Sequence, residues 1–341
     1  MKETSQPPRR LSGQKAFLFA ATAVSALAVG AIVLWPGHGP DNNAAGADSA
    51  LTLQDIPFNG ARAYEYLKQL CAIGPRPSGS PGMAAQQKLL AEHFKKYGGQ
   101  VEFQRFRIPD TKPGSTATVP IANLIVRWHP ESKKRILLAA HYDTLPFPLE
   151  DPQDPRGKFL GANDNASGVA ILMELAHEIA KLELNYGVDF VFLDAEEYMY
   201  VPNGRFFVGS EYFARQYAAG KLPYRYHWGV LLDMVGDKDL QIYQEGHGLI
   251  WKDTRPLVQS IWATAQRLGV REFIAKGKYT VDDDHLMLHD LGGIPCIDII
   301  DYDYGPGHRY WHTLADAPEQ CSALSLAKVG WVLREWLKNA P

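Results

Sequence analysis

The chain has 341 residues, room for one large domain or two average ones, and its 46% hydrophobic and 21% charged residues are an ordinary globular balance. A formal net charge of −3, with no basic cluster interleaved with aromatics, argues against direct nucleic-acid binding. Cys71, Cys296 and Cys321 are far apart and form no C-x-x-C pair, which excludes a structural zinc finger and leaves room for one disulfide in an oxidising compartment.

Residues 16–35 form an uncharged, mostly apolar stretch broken only by small polar residues such as Thr22 and Ser25. As a helix it would extend about 30 Å, the thickness of a bilayer core. Lys2, Arg9, Arg10 and Lys15 precede it, and no Lys or Arg follows until Arg62. The positive-inside rule then keeps residues 1–15 in the cytoplasm and places the rest of the chain on the extracytoplasmic side. A cleaved signal peptide is the rival reading. Its best small-residue site, Ala45-Gly46-Ala47, lies far beyond an apolar run already long for such a leader. The expectation is therefore an uncleaved signal anchor, one transmembrane helix over 16–35. A flexible linker rich in Gly, Asn, Asp and Ala follows over 36–50.

From 51 to 341 the pattern is continuous. Tyr64, Leu67 and Leu70 give a predicted helix over 61–72 its apolar face, and a second helix is predicted over 81–97, ended by Gly98-Gly99. Strands are predicted over 101–108 and 123–128, then a buried one over 135–140. The spacing of Val169, Leu172, Leu175 and Ile179 predicts a helix over 165–182. After it come strand 188–193, helix 210–219, strand 230–233, helix 254–268, strand 295–300 and a terminal helix over 324–338. There is no internal repeat, and the alternation predicts one α/β domain.

Several chemically capable residues stand where apolar runs stop. His141 follows ILLAA, Glu196 and Glu197 follow VDFVFLDA, and Asp233 follows GVLL. Asp164 lies in GANDNASG just before a helical pattern, and His312 in the loop sequence YWHTLAD. In an open α/β sheet, ligands and catalytic groups collect at the carboxyl ends of the strands. Histidines and carboxylates meeting there suit zinc. His141-Tyr-Asp143 taken alone reads as a strand-end histidine with a solvated neighbour; as a site, Asp143 would hydrogen-bond the other ring nitrogen of His141. Asp164 alone reads as a helix cap, although Gly161 and Gly168 beside it allow the backbone to crowd together. Glu196 and Glu197 repel each other unless a cation or a shared proton compensates, and both face one site only where the chain turns out of the sheet. A metal ligand beside a general base satisfies that pair. Asp233, at the end of an apolar strand core, needs a partner. The run Asp282-Asp283-Asp284-His285 taken alone reads as a solvated loop. His93, His129, His177, His227, His247 and His289 are assigned to surface or packing, and His308 is left open.

The succession HYD, GANDNASG, DAEE, LLDMVG, DDDH and WHT resembles the zinc aminopeptidase and glutaminyl-peptide cyclotransferase (glutaminyl cyclase) family. The resemblance runs from GPRPSGSPG at Gly74 to the C-terminal helix. It implies a mixed, mostly parallel central sheet flanked by helices, the phosphorylase/hydrolase-like zinc exopeptidase fold, over 51–341. It further implies Asp164, Glu197 and His312 as primary zinc ligands and Glu196 as general acid/base. His141 and Asp233 match the positions that hold a second zinc in the aminopeptidases. Asp233 and Asp284 would join Glu196 in catalysis, and Trp311 would pack against substrate. One zinc is the expectation, two the alternative, and peptide or protein N-termini are the implied substrates.

The two branches of the family differ in nucleophile. An aminopeptidase uses water to cut the first peptide bond. A cyclase lets the α-amine of an N-terminal Gln attack its own γ-amide and release ammonia, a step helped by proximity. Trp311, Asp284-His285 and the stretch GIPCIDIIDYD through WHT resemble the bacterial cyclases. YMYVPNGRFF, after Glu197, departs from the family in having no Trp where animal cyclases place one. The cyclase is the expectation and the aminopeptidase the alternative; an ectodomain that only binds is disfavoured by the intact Glu196, Glu197, Asp164 and His312.

Overall fold

Strands buried on both faces read as unbroken apolar runs, and ILLAA and VDFVFL are such runs. In the computed structural model, which describes residues 51–112, 114–200, 204–220 and 222–341, both lie in the middle of a six-stranded sheet. In chain order the elements are helices α1 (Gly60–Ala72) and α2 (Pro81–Lys96), strands β1 (Gln100–Pro109), β2 (Thr118–Trp128) and β3 (Lys134–His141), then helix α3 (Ala166–Leu175). Strand β4 (Gly187–Leu193) precedes a short pair, β5 (Glu197–Tyr198) and β6 (Arg205–Phe206), and helix α4 (Val208–Ala218). Then come β7 (Arg225–Asp233), β8 (Ile242–Gln244), α5 (Gly246–Ile250), α6 (Arg255–Leu268) and β9 (Phe273–Gly277). Helix α7 (Asp284–Asp290), β10 (Cys296–Ile300) and α8 (Ala323–Lys338) complete the chain.

The sheet order is β1-β2-β4-β3-β7-β10. Strands β4, β3, β7 and β10 run parallel, β2 pairs antiparallel with β4, and β1 antiparallel with β2. This is the mixed, mostly parallel sheet expected. Alternation along β3 sorts its side chains between two layers. Ile136, Leu138 and Ala140 face a core shared with Leu67 of α1, Val169 of α3 and Leu326 of α8. Leu137 and Ala139 face Phe213 of α4 and Leu288 of α7. Because the central strands are parallel, their carboxyl ends share one edge. His141, the turn after Leu193, Asp233 and the segment after Ile300 emerge there together.

Local chemistry fixes the helix starts. Asn59, Ser80, Asn165 and Ser322 each accept a hydrogen bond from a first-turn N–H, and Pro81 opens α2. The helix predicted over 165–182 stops at Leu175. A single 3-10 turn at Ile179–Lys181 follows and still buries Ile179, so the apolar spacing outlives the helix that it mimics. Strand β2 starts at Thr118, five residues before the predicted 123. Its first part contains Pro120 and pairs only with β1, the situation in which a strand tolerates proline. All three cysteines are buried free thiols, so the disulfide that the composition leaves room for is not formed. The expected anchor over 16–35, with its flanks 1–15 and 36–50, lies outside the described residues. Among the described residues no helix is long and apolar enough to cross a membrane.

Far from the ligand edge, Arg135 and Asp189 form a wholly buried pair, Nη2 to Oδ1 2.5 Å. The guanidinium also donates to the carbonyls of Trp128, His129, Ser132 and Val188, and Tyr226 Oη donates to Asp189 Oδ2 at 2.6 Å. Arg135→Met is expected to lower the unfolding free energy by about 3–5 kcal/mol, because it strands a buried carboxylate. Urea titration measures this, and a loss under about 1 kcal/mol would mean that the pair is dispensable.

Candidate metal centre

Ala195 sits at φ 60°, a left-handed turn that swings the chain out of the sheet immediately before Glu196 and Glu197. That turn lets both adjacent side chains face one place. Their main-chain N–H groups donate to Asp143, Glu196 N at 3.0 Å and Glu197 N at 3.1 Å. Asp143 thereby fixes the Glu pair. Its expected bond to His141 is not made: Nδ1 lies 3.8 Å from Asp143 Oδ1, beyond hydrogen-bond range, because the carboxylate is committed to the two N–H groups.

The loop carrying Asp164 is stitched to the segment carrying Asp233. Asn165 Nδ2 donates to Leu232 O at 2.7 Å, Val235 N to Ser167 Oγ at 3.1 Å, and Gly236 N to Asn163 Oδ1 at 2.7 Å. The glycines are required here. A Cβ on Gly161, at φ +56°, would lie 2.2 Å from Asp164 O, and one on Gly168 2.7 Å from Leu232 O. Behind the loop, Arg76 is 1% exposed and donates to the carbonyls of Gly74, Leu160 and Gly161 at 3.1, 2.9 and 3.2 Å. It lies within the GPRPSGSPG motif, but nothing local in the sequence marks it as a clamp.

Six candidate residues converge on this edge. Asp164 stands between the two histidines, Oδ1 at 3.0 Å from His141 Nε2 and Oδ2 at 3.4 Å from His312 Nε2. Asp233 Oδ1 is 3.3 Å from His141 Nε2, and Glu197 Oε1 is 2.9 Å from His312 Nε2. Two sets therefore share Asp164: Asp164, Glu197 and His312, and His141, Asp164 and Asp233. Each set has ligand atoms within 4.8 Å of one another, as does a third made of His141, Glu196 and Glu197. All six are buried.

Charge decides what this arrangement needs. Asp164, Glu196, Glu197 and Asp233 meet two imidazoles, with no Lys or Arg among the described residues that line the cavity. Burial, reinforced by Glu197, Asp283 and Asp284, pushes the Glu196 carboxyl well above its usual range despite His141. Burial and then Asp164 raise Glu197 to about 8 and Asp233 to about 6. Burial works to raise Asp164 as well, yet His141 and His312 hold it below the ordinary carboxylate range. Such crowding calls for a cation. Carboxylate oxygens with imidazole nitrogens are a donor set that zinc takes, and Asp233 Oδ1 makes no hydrogen bond of good geometry. The residues fit the metal.

The cluster lies in a cavity of about 490 Å³. Phe206, Phe207, Met234, Ile300, Tyr302 and Trp311 form the apolar part of its wall. Trp311 stacks on His312, ring centroids 3.6 Å apart and 20° between planes. His308, left open by the sequence, stacks in turn between Trp311 and Tyr302 at 5.0 and 4.4 Å. The YMYVPNGRFF segment after Glu197 holds no tryptophan and contributes Phe206 and Phe207 to the wall. The acidic run is not a solvated loop: Asp283 and Asp284 are buried, and Asp284 opens α7. Asp284 is turned away from the cavity to bond Ser210 Oγ on α4, so Asp282 and Asp283 are the members of the run that line it. Capping explains the turn, since Asp283 precedes the helix while Asp284 already belongs to its first turn. The six histidines assigned to surface or packing do not line the cavity. A second cavity, about 610 Å³ between Phe58, Arg62 and Glu174, holds none of these sets.

The fold recurs in proteins of known structure. A glutaminyl cyclase from Fimbriiglobus ruber is 38% identical, covering 84% of this chain and 97% of that one with a TM-score of 0.78. A Zn-dependent exopeptidase from Parabacteroides distasonis is 31% identical over 83% of this chain and 99% of that one, TM-score 0.76. Endoplasmic reticulum metallopeptidase 1 of Rattus norvegicus is 24% identical over 303 residues, 80% of this chain but 30% of its own length. The chain thus spans under a third of the length of that relative. The family model described as Peptidase family M28 matches residues 123–337, a span that takes in every member of the cluster from His141 to His312. The chain is an enzyme of the M28 family of zinc exopeptidase-like proteins.

Proposed function

We propose that the protein is a zinc-dependent glutaminyl-peptide cyclotransferase, which converts the N-terminal Gln of peptides to pyroglutamate with release of ammonia. The observation that carries this reading is Trp311, stacked flat on His312 in the apolar part of the wall of the cavity that holds the acidic cluster. Similarity to the bacterial glutaminyl cyclases supports it.

Asp164, Glu197 and His312 would hold the zinc, which supplies Lewis acidity to the γ-carbonyl of the substrate. The chain's own residues do the rest. Trp311 with Phe206 and Phe207 packs the short Gln side chain and keeps water out, so the tethered amine competes well against hydrolysis. Asp283 Oδ2, buried and without a hydrogen-bond partner, and Asp233 are placed to accept hydrogen bonds from the α-amine. Glu196 takes a proton from the attacking nitrogen and returns it to the departing nitrogen. One C–N bond forms, one breaks, and ammonia leaves with that proton. Asp143 holds the main chain of Glu196 still while this happens.

The set of His141, Asp164 and Asp233 favours a second reading, a two-zinc aminopeptidase. One experiment separates them: incubation with a Gln-initiated and a Leu-initiated peptide while ammonia, pyroglutamyl product and free amino acids are followed together. The Gln peptide is expected to lose ammonia and gain a blocked end with little free Gln, and the Leu peptide to stay intact. Trp311→Ala is expected to slow cyclisation about tenfold with zinc retained, since a stacked aromatic contact contributes roughly 1.5 kcal/mol. Rapid release of free Leu, with two zinc ions per chain, would overturn the cyclase in favour of the aminopeptidase.

A further inference from the structure

The loop that presents His312 also grips the loop that presents Asp164. Asp316, four residues beyond His312 and 1% exposed, accepts hydrogen bonds from Asn163 N at 2.7 Å and Asp164 N at 3.2 Å. Wholly buried Tyr304 donates its hydroxyl to Asp316 Oδ1 at 2.7 Å. A carboxylate is a costly group to bury, and packing alone would be served by a small apolar side chain. What an aspartate adds here is two bonds to the main chain of Asp164 and its neighbour. On the opposite side Arg76 holds Leu160 and Gly161, and Asn163 Oδ1 is bonded from Gly236 N. His141 and Asp233, by contrast, stand at the ends of β3 and β7 and are held by the sheet itself. Asp164 and His312 lie on loops about 150 residues apart in sequence, and Asp316 joins those loops directly.

We propose that Asp316 is a positioning residue of the metal centre, setting the spacing between Asp164 and His312, with Tyr304 holding Asp316 in turn. The inference rests on the reading of Asp164 and His312 as ligands. In Asp316→Asn one oxygen becomes an NH2 group, and that group must face an N–H or the Tyr304 hydroxyl. The carboxylate's acceptors are no longer matched to their donors, and Asp164 is free to drift from His312.

The test compares the full wild-type chain with Asp316→Asn and Tyr304→Phe, measuring zinc affinity by chelator competition and the melting temperature of each metal-free protein. Asp316→Asn is expected to bind zinc about 10–100-fold more weakly, the usual consequence of losing a group that orients a ligand. Tyr304→Phe, which leaves Asp316 in place, is expected to weaken binding in the same direction by less. The metal-free melting temperatures should stay within about 5 °C of wild type. The visible spectrum of the Co2+-substituted Asp316→Asn protein should shift, because ligand geometry has changed. Wild-type zinc affinity in both variants would overturn the inference alone. So would lost affinity accompanied by a larger fall in metal-free melting temperature, which would make Asp316 a structural prop. A wild-type chain that binds no zinc would instead overturn the metal centre and this inference together.

Discussion

His312→Ala and Glu197→Ala are each expected to remove zinc from the folded chain and to abolish turnover. Both side chains belong to the set that shares Asp164, and His312 Nε2 stands 2.9 Å from Glu197 Oε1. Deleting either leaves two protein ligands where a catalytic zinc takes three. The loss is not confined to one bond. Without His312, Trp311 loses its nearest stacking partner and keeps only the more distant His308 ring, so the wall over the cluster loosens as well. His289→Ala is the control, since that ring stacks on Trp251 and does not line the cavity. Metal analysis of the purified proteins, with circular dichroism to establish folding, checks the prediction. Unchanged zinc in both variants would remove these residues from the ligand set.

Glu196→Gln is expected to leave zinc in place while turnover falls by about two orders of magnitude or more. The amide keeps the size of the side chain but cannot carry a proton from one nitrogen to another. Glu196 is suited to that task by its surroundings: burial and the carboxylates of Glu197, Asp283 and Asp284 hold its proton affinity far above that of a solvated glutamate. The main-chain bond from Glu196 N to Asp143 does not depend on the side chain, so the variant should fold and keep its geometry. Near-normal turnover at neutral pH with full zinc occupancy would exclude Glu196 as the shuttle.

The sheet was legible because its strands are long apolar runs, and runs such as ILLAA have one physical use in an α/β chain. The edge that gathers His141, Glu196, Glu197 and Asp233 was legible for the same reason, since each follows such a run. Legibility failed where meaning depends on distant partners. Asp143 bonds N–H groups more than fifty residues away, so its HYD setting pointed to the wrong nitrogen. The resemblance named Asp284 for catalysis, and the sequence offered no check on which aspartate faces the site, because a helix of seven residues is too short to show periodicity. Only its packing on α4 reveals which aspartate turns to Ser210. Asp316 and Arg76 gave no local signal, as their bonds go to the main chain of other loops. The spacing that predicted helix beyond Leu175 came from Ile179, which the 3-10 turn buries in a helical position's stead.

The parallel order of β4, β3, β7 and β10 also governs when the centre can come into being. Each of these strands meets its neighbour only after a crossover, so their pairings close large chain loops and are slow to form. The cluster begins with His141 at the end of β3 and closes with His312, which lies beyond β10. No N-terminal fragment that stops short of the last strand contains it. A chain still emerging from synthesis therefore lacks the His312 imidazole of the set that it completes. The set of Asp164, Glu197 and His312 closes only after the sheet is complete and the WHTLAD loop has docked. Metal that binds the finished centre and not the unfolded chain would stabilise the fold by mass action.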